Sequence, residues 1–258
     1  MSHTNQYRIL LFIILTLVSG MVMGQDTDST QKPLHFGVVG TVTNKGISVI
    51  PTFTLGKPAA IVDVIVGKRL TFEPQIRYSL QAKPWSFIFW LRYKVLNSDR
   101  FSLSAGAHPS VVFSTVNATI NGVNKEVITS TRYFATELVP NFTINKHLSI
   151  GLYYLSSWGF AETPIKHTDF VTLNTNINNI AITKELTLRI NPQFYYLKMD
   201  ARSGTYLTTA FTLSKNKSPL SLQYMFNQPI NTNIIGGQDF VWNVSLIYAF
   251  HKNYYSAK

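Results

Sequence analysis

Strict alternation of apolar and polar side chains runs along most of this 258-residue chain and restricts its fold more than any other feature. In the segment 70–80, the apolar positions are Leu70, Phe72, Pro74, Ile76, Tyr78 and Leu80. The residues between them are polar, and the segments 85–95 and 186–196 repeat the alternation. Because successive side chains of a strand point to opposite faces, this period of two predicts an all-β chain whose strands have one apolar face.

The alternation and the turn residues together predict twelve strands. They are 34–43, 59–67, 69–81, 84–97, 99–115, 127–145, 147–161, 168–182, 184–198, 203–214, 218–228 and 239–250. The apolar parity changes between Ile177 and Ile180, which predicts a β-bulge there. Residues 47–55 also alternate, but we assign them to a long first loop because bacterial single-chain barrels have even strand numbers. A count of fourteen strands stays open.

A soluble β-sandwich and a membrane β-barrel would both show this alternation, and three features favour the barrel. Segments such as 84–97 and 184–198 exceed the about 5–6 residues usual in soluble strands and reach the about 9–11 of a tilted membrane strand. Tight turns alternate with long loops at 44–58, 116–126 and 229–238. Aromatic residues near strand ends predict girdles at the lipid headgroups: Tyr78, Trp85, Tyr93, Phe101, Tyr154, Trp158, Phe160, Tyr196 and Trp242.

The first 24 residues have the pattern of a cleaved secretory signal peptide. Arg8 precedes the apolar run Ile9–Val18, and small residues follow before Gly24. That run is shorter than the about 20 residues of a membrane-spanning helix, which disfavours the alternative of a membrane anchor. We therefore expect a signal peptide at 1–24, a linker at 25–33, a barrel at 34–250 and a tail at 251–258.

The charge and composition exclude several classes of protein. The chain has no Cys, so neither a disulfide scaffold nor a Cys-ligated metal site is possible. Its formal net charge is +11, with 23 Lys and Arg against 12 Asp and Glu, and loss of Arg8 leaves +10. The cations are dispersed rather than gathered in a patch, which disfavours nucleic acid as the partner. A basic exterior suits anionic lipid headgroups or lipopolysaccharide.

The last predicted strand carries a resemblance to a known family. Residues 240–250, FVWNVSLIYAF, place Phe240, Trp242, Val244, Leu246, Tyr248 and Phe250 on one face. This face resembles the C-terminal assembly signal of Gram-negative outer-membrane proteins, an alternating strand with a final aromatic residue. The resemblance implies that the barrel assembly machinery recognises Trp242, Leu246, Tyr248 and Phe250. The tail 251–258 departs from it, because many members end at the aromatic residue.

The wider chain resembles uncharacterised, porin-like barrel proteins of the Bacteroidota type. The segments that carry this resemblance are IPTFTLGKPA (50–59), FEPQIRYSL (72–80) and KPWSFIFWLRY (83–93). It covers most of the mature chain and implies an outer-membrane location, but its motifs are structural and carry no information on a substrate.

If the apolar face meets lipid, the polar face lines the lumen, because Arg or Lys facing lipid at mid-depth costs about 2–4 kcal/mol. The predicted lumen residues are Asp63, Glu73, Gln75, Arg77, Arg92, Lys94, His108, Ser110, Glu137, Asn141, Arg189, Asn191, Gln193 and Gln223. One interpretation is a structural network in which Glu73 and Glu137 pair with Arg77, Arg92 and Arg189. The other is a mildly cationic solute path, and the two can coexist.

Four prolines stand in similar settings in the predicted strands. Pro74, Pro109, Pro140 and Pro192 each fall on the outward face and precede an inward polar residue. Proline removes a donor from the ladder, so each predicts a bulge or a local kink. The inward neighbours Gln75, Ser110, Asn141 and Gln193 could form a constriction, or the kinks could only shape the wall.

His108-Pro109-Ser110 is the one sequence motif that suggests an enzyme, because some outer-membrane lipid hydrolases use His-x-Ser on a strand. The alternation directs both side chains into the lumen, away from lipid, so we expect a polar pair and no catalytic residues. No metal-binding or phosphate-binding motif is found, and we predict no cofactor. The expected function is a small-solute channel. The alternative is a closed barrel whose long loops bind a partner or a polysaccharide.

Overall fold

The computed structural model describes residues 33–48, 50, 53–120, 122–160, 163–235 and 240–255. The predicted signal peptide and residues 25–32 and 256–258 lie outside the described residues. The strands are β1 (Leu34–Thr43), β2 (Ala59–Gly67), β3 (Leu70–Ser79), β4 (Pro84–Asn97), β5 (Phe101–Ile120), β6 (Val123–Asn145), β7 (Leu148–Gly159), β8 (His167–Ala181), β9 (Leu186–Met199), β10 (Arg202–Lys215), β11 (Leu220–Thr232) and β12 (Val241–Tyr254). The described residues contain no helix long and apolar enough to cross a membrane.

The strands form one closed antiparallel barrel. Each strand pairs with its neighbours in sequence, and β12 pairs with β1 from Leu34 opposite Tyr254 to Thr43 opposite Ser245. This confirms the predicted fold class and, within the described ranges, the strand count. The described part of 47–55 is a loop. β12 extends four residues past the predicted strand end at Phe250, so residues 251–254, predicted to be tail, help to close the barrel.

The two rims differ in their connections. The terminal rim, which carries both ends of the barrel, has short turns at 68–69, 98–100, 146–147, 182–185 and 216–219. The loop rim, opposite it, carries the connections 44–58, 80–83, 121–122, 160–166, 200–201 and 233–240. The loop-rim connections 44–58, 160–166 and 233–240 are longer than any terminal-rim turn, whereas 80–83, 121–122 and 200–201 are as short as those turns. Short turns at one rim and longer loops at the other are typical of outer-membrane barrels. Two loop predictions need correction, because β11 continues to Thr232 and the predicted loop 116–126 is mostly strand.

β5 and β6 form a hairpin that rises beyond the barrel wall. They stay paired as far as Ile120 opposite Val123, whereas β4 reaches only Val112 on β5. Within the sheet, residues 113–120 and 123–130 therefore pair only with each other. Lys83 in the 80–83 turn approaches this hairpin, with its Nζ atom 2.5 Å from Glu126 Oε1. The Asn121-Gly122 pair in the sequence is the usual signal for such a tight hairpin, and Gly122 has a positive φ of 77°.

The apolar face points outward, as predicted. Leu70, Leu91, Leu173 and Leu246 are exposed by 47–53%, and their inward neighbours are buried or half-buried or line the interior. A soluble sandwich would bury these side chains against each other. A closed barrel with an apolar exterior satisfies its backbone hydrogen bonds internally, which is the condition for spanning a bilayer with strands. The chain is thus a transmembrane β-barrel of the outer-membrane type.

Most predicted girdle aromatics lie on this outer surface, and Trp85 is the exception. The exposed ones are Tyr78, Phe101, Tyr154, Trp158, Phe160, Tyr196 and Trp242, and Tyr93 is half-buried. Trp85 is only 2% exposed. A register shift between Arg77 and Tyr78 leaves Trp85 as the extra residue of a bulge, since Arg77 faces Ser86 and Tyr78 faces Pro84. The bulge breaks the alternation and turns the indole inward.

The predicted bulge and the predicted proline kinks differ in their effect on strand pairing. The register of β8 and β9 shifts between Ile177 and Ile180, which confirms the bulge. At the four prolines the register is kept, and pairing is interrupted on one side instead. The interrupted stretches lie between Asp63 and Val66 in β2, Ile88 and Leu91 in β4, Leu138 and Asn141 in β6, and Asn174 and Ile177 in β8. The missing N–H thus opens a gap in the ladder without inserting a residue.

Candidate functional site

The interior of the barrel holds a cavity of about 470 Å³. Six of the predicted lumen residues line it, namely Gln75, Arg77, Arg92, His108, Ser110 and Gln193. Glu73 and Glu137 contact Arg92, and Asn191 contacts Gln193. Asn141 is half-buried beside Gly151, while Lys94 and Arg189 are exposed at inward positions nearer the terminal rim.

A layer of charges around Arg92 crosses the cavity floor. The Arg92 guanidinium donates to Glu73 Oε2 at 2.5 Å and to Glu137 Oε1 at 2.6 Å. Tyr153 also donates to Glu137, at 2.8 Å, and the Trp90 ring centroid lies 4.1 Å from the guanidinium carbon. The backbone comes close here, since a Cβ on Gly106 would sit 2.9 Å from Glu137 Oε1. This is the structural network that the sequence suggested, formed around one arginine.

The predicted pairing of the other two arginines is wrong. Arg77 donates to Gln75 Oε1 at 3.1 Å and stacks over Trp85, 5.3 Å from the ring centroid. Within the described residues no carboxylate lies within 4 Å of Arg77 or Arg189. Glu73 and Glu137 both pair with Arg92. The registers of the successive pairs β3–β4, β4–β5 and β5–β6 place Arg92 between the two glutamates.

An amide network holds the β8–β9 wall of the cavity. Asn191 donates to Asn174 Oδ1 and Asn176 Oδ1, at 3.3 and 3.1 Å, and to the Thr175 carbonyl at 2.7 Å. Gln193 in turn donates to Asn191 Oδ1. Here the β8–β9 pairing is interrupted beside Pro192, and the Asn191 side-chain amide satisfies the Thr175 carbonyl in the gap.

The interior also contains an apolar cluster that alternation did not reveal. Its buried members are Trp90, Ala135, Leu155, Phe170, Tyr195, Leu197, Met199, Tyr206 and Ile234. The rings of Tyr195 and Tyr206 stack at 4.7 Å, and Tyr195 donates to Asn227 Oδ1. Inward-facing Phe, Leu and Tyr at the loop-rim ends of β7–β10 were the available signal. The predicted lumen was purely polar, and the observed one is amphipathic.

The first loop, 44–58, folds into the barrel mouth. Ile47, Ile50 and Phe53 line the cavity, and the Phe53 ring lies 5.3 Å from that of Tyr133. Trp85 Nε1 donates to the Phe53 carbonyl at 2.8 Å, which anchors the loop to the wall. Ile165 and Ile234, from two other loops, also pack against the apolar cluster. The loop rim therefore narrows the entrance.

His108 and Ser110 both lie in the cavity wall and are not hydrogen-bonded to each other in the described part of the chain. Both are buried at 6% exposure and line the cavity, as the alternation predicted. The His108 ring packs edge-on against Trp90 at 4.0 Å, and its Nδ1 atom has no hydrogen-bond partner among the described residues.

Comparison with known proteins gives similarities of shape only. No protein-family model and no curated protein matches the chain. An outer membrane channel from Pseudomonas putida F1 is 12% identical, over 88% of this chain and 99% of that one, with a TM-score of 0.45. The KdgM porin is 13% identical over 83% and 99%, with a TM-score of 0.48. The NanC porin is 9% identical over 84% and 98%, with a TM-score of 0.47. At these values the likeness carries no argument about activity.

Proposed function

We propose that this protein is an outer-membrane channel for small solutes. The observation that supports the proposal best is the 470 Å³ cavity inside a closed barrel, with polar and apolar groups on its wall. A solute entering at the loop rim passes the first loop, then the cavity, and then the Arg92 layer before the terminal rim. The aromatic wall and the hydrogen-bonding groups of this route suit small amphipathic solutes.

The route carries a mild anion preference in this proposal. Its inward charges are Arg77, Arg92, Lys94 and Arg189 against Asp63, Glu73 and Glu137. Arg92 is neutralised by its two carboxylates, so the remaining inward cations along the route are Arg77, which lines the cavity, and the exposed Lys94 and Arg189. Fixed charge of one sign in a narrow path raises the local concentration of the opposite ion.

Single-channel recording of the purified mature chain in planar phospholipid bilayers tests the proposal. We expect discrete current steps and a reversal potential displaced toward anions in a KCl gradient. Lys94→Gln combined with Arg189→Gln leaves two inward cations against three carboxylates, so it should reverse this displacement toward cations. Folding should be kept, because neither side chain makes an ion pair among the described residues. The matched control is Lys184→Gln in a terminal-rim turn. Absence of current over the whole voltage range would overturn the proposal that the barrel is a channel.

A closed binding barrel is the second candidate, and two observations favour it. Apolar side chains and the first loop fill much of the interior, and the β5–β6 hairpin projects with Val116, Ile120, Val123 and Ile128 exposed by 42–55%. Bilayer recordings without current, together with measurable binding of the intact chain to a surface polysaccharide, would support this function over the channel.

Two partners belong to the proposal as well. The exposed face of β12, with Trp242, Leu246, Tyr248 and Phe250, is available on the barrel exterior for recognition by the assembly machinery. Lys198 and Arg132 are exposed at outward positions near the loop rim, where anionic lipid or lipopolysaccharide headgroups would lie.

A further inference from the structure

The outer wall carries a serine, a histidine and an aspartate that the channel does not use. Ser156 lies on β7, and His167 and Asp169 lie on β8 near the loop rim. All three occupy the outward parity, next to exposed Tyr154 and Trp158. The β7–β8 register places Ser156 opposite Asp169 and Trp158 opposite His167.

The three side chains are in contact in an order suited to nucleophilic chemistry. Ser156 Oγ lies 3.0 Å from His167 Nε2, and His167 Nδ1 lies 3.5 Å from Asp169 Oδ2. The other carboxylate oxygen, Oδ1, accepts from Ser156 Oγ at 3.0 Å and from the Tyr154 hydroxyl at 2.9 Å. Ser156 has one hydroxyl hydrogen, so its transfer to His167 requires the hydroxyl to turn from Asp169 Oδ1 to the Nε2 atom, which is within hydrogen-bond reach. A base within reach of a hydroxyl, beside a carboxylate, is the arrangement that activates a serine.

The histidine is held in place by the neighbouring turn. The His167 backbone N–H donates to Asp200 Oδ1 at 2.8 Å, and the Asp200 N–H donates to the His167 carbonyl at 2.9 Å. The Trp158 ring lies 5.5 Å from the imidazole. His167 and Asp169 side chains are 41% and 26% exposed, so the base and its partner open to the outside of the barrel.

The surroundings of this cluster resemble the boundary between acyl chains and headgroups. Tyr154, Trp158, Phe160 and Tyr196 are exposed around it, which suits the interfacial level of a bilayer. Lys198 on β9 lies opposite Asp169. On the other side, Phe134 on β6 lies opposite Trp158, and Arg132 is two residues before Phe134 on the same outward face. Two cations beside an aromatic girdle can hold the phosphate of a membrane lipid while its ester reaches the serine.

From this geometry we infer that Ser156, His167 and Asp169 form an outward-facing esterase site for an acyl ester of an outer-leaflet lipid. Ser156 Oγ attacks the ester carbonyl carbon, and its proton passes to His167 Nε2. The carbon–oxygen bond to the lipid alcohol breaks, and this alcohol leaves with the proton from His167. Water then attacks the acyl-serine and yields its proton to His167, which returns it to Ser156. The sum is ester plus water giving carboxylic acid plus alcohol.

Ser156 itself is only 5% exposed, so the ester must approach past the His167 ring. Ser157, its neighbour in sequence, is 7% exposed and lines the internal cavity. The chain thus offers a matched control, a buried serine one residue away on the opposite face of the wall.

The test uses the full-length purified barrel in mixed detergent–lipid micelles and two readouts. A fluorophosphonate probe should label Ser156 and not the adjacent Ser157, as located by fragment-ion mass spectrometry, and His167→Gln should abolish the label. Release of fatty acid should fall at least about a hundredfold in Ser156→Ala and stay at the unmodified level in Ser157→Ala. Parallel micelles with phospholipid or with lipopolysaccharide as the ester source identify which lipid is used. If Ser156 stays unlabelled, or the Ser156→Ala protein releases as much fatty acid as the unmodified chain, the site is not an esterase.

Discussion

At the residue scale, Arg92 is the side chain on which the interior depends most. It neutralises Glu73 and Glu137, whose side chains are 16% and 1% exposed, and no other cation contacts them within the described residues. Removing one partner of a buried ion pair leaves the other charge uncompensated, which costs more than the pair contributes. The stability of the interior is therefore sensitive to the loss of this one side chain.

Arg92→Met is expected to destabilise the folded barrel by about 3–5 kcal/mol, because the buried Glu137 and the half-buried Glu73 both lose their partner. Urea unfolding of the barrel in detergent, followed by its gel mobility with and without heating, measures the change. Lys94→Met, two residues along the same face and exposed, is the matched control and should cost little. Adding Glu73→Gln and Glu137→Gln to Arg92→Met should recover part of the loss. If Arg92→Met unfolds at the same urea concentration as the unmodified barrel, the charge layer does not stabilise the interior.

At the element scale, the first loop and the β5–β6 hairpin give the loop rim its shape. The end of the hairpin extends past the barrel wall, where an ion pair joins Glu126 to Lys83. The two side chains are 51% and 33% exposed, so we expect this ion pair to stabilise the hairpin by at most about 1 kcal/mol. The first loop packs inside the barrel and is held by the buried Trp85. The two elements differ because one buries apolar side chains and the other leaves them exposed.

Trp85→Ala is expected to release the first loop, because it removes both the hydrogen bond to the Phe53 carbonyl and the packing against Gly46. Limited trypsin cleavage after Lys45 reports this opening, because trypsin does not cut the Lys57–Pro58 bond. Trp85→Phe should raise the cleavage rate about fivefold, for a loss of about 1 kcal/mol, and Trp85→Ala should raise it more. Phe89→Ala, on the outer face of the same strand, serves as the control. A Trp85→Ala protein cut as slowly as the unmodified barrel would show that the indole does not anchor the loop.

At the scale of the whole molecule, the decisive property is that apolar side chains face out and polar side chains face in. Leu173 is 47% exposed on the outer wall of β8, and the next residue, Asn174, lines the cavity. In a bilayer the outward position is hydrocarbon, whereas the inward position is polar. The same substitution at these two neighbours therefore separates a membrane barrel from any soluble arrangement.

Leu173→Arg should lower the free energy of unfolding in phospholipid vesicles by about 2–4 kcal/mol, because the guanidinium enters the acyl region. Asn174→Arg should cost only about 1 kcal/mol, through loss of amide hydrogen bonds. Equilibrium guanidine titrations of the two variants in vesicles, monitored by tryptophan fluorescence, give both values. Equal costs, or a larger cost at Asn174, would contradict the outward orientation of the apolar face.

The sequence by itself determined the number and order of the strands, the outward face and the bulge at Ile177–Ile180, although not every strand end. These follow from the period of two, which assigns each residue to one face whatever the partner strand is. It also identified the inward positions of Arg77, Arg92, His108 and Gln193. The extended hairpin was within reach of the same reasoning, because Asn121-Gly122 signals a tight turn inside the stretch that we predicted to be a loop.

Only the tertiary structure decided which inward residues meet. Alternation gives a face but no partner, so Arg92 rather than Arg77 or Arg189 takes both glutamates because of the β3–β6 register. A bulge inserts one residue into a strand and so changes which face the residues next to it point to. For this reason Trp85 points into the barrel and does not belong to the aromatic girdle. Ser156 meets His167 and Asp169 across two strands, and contacts between strands depend on the register of their pairing, which one strand's pattern does not contain.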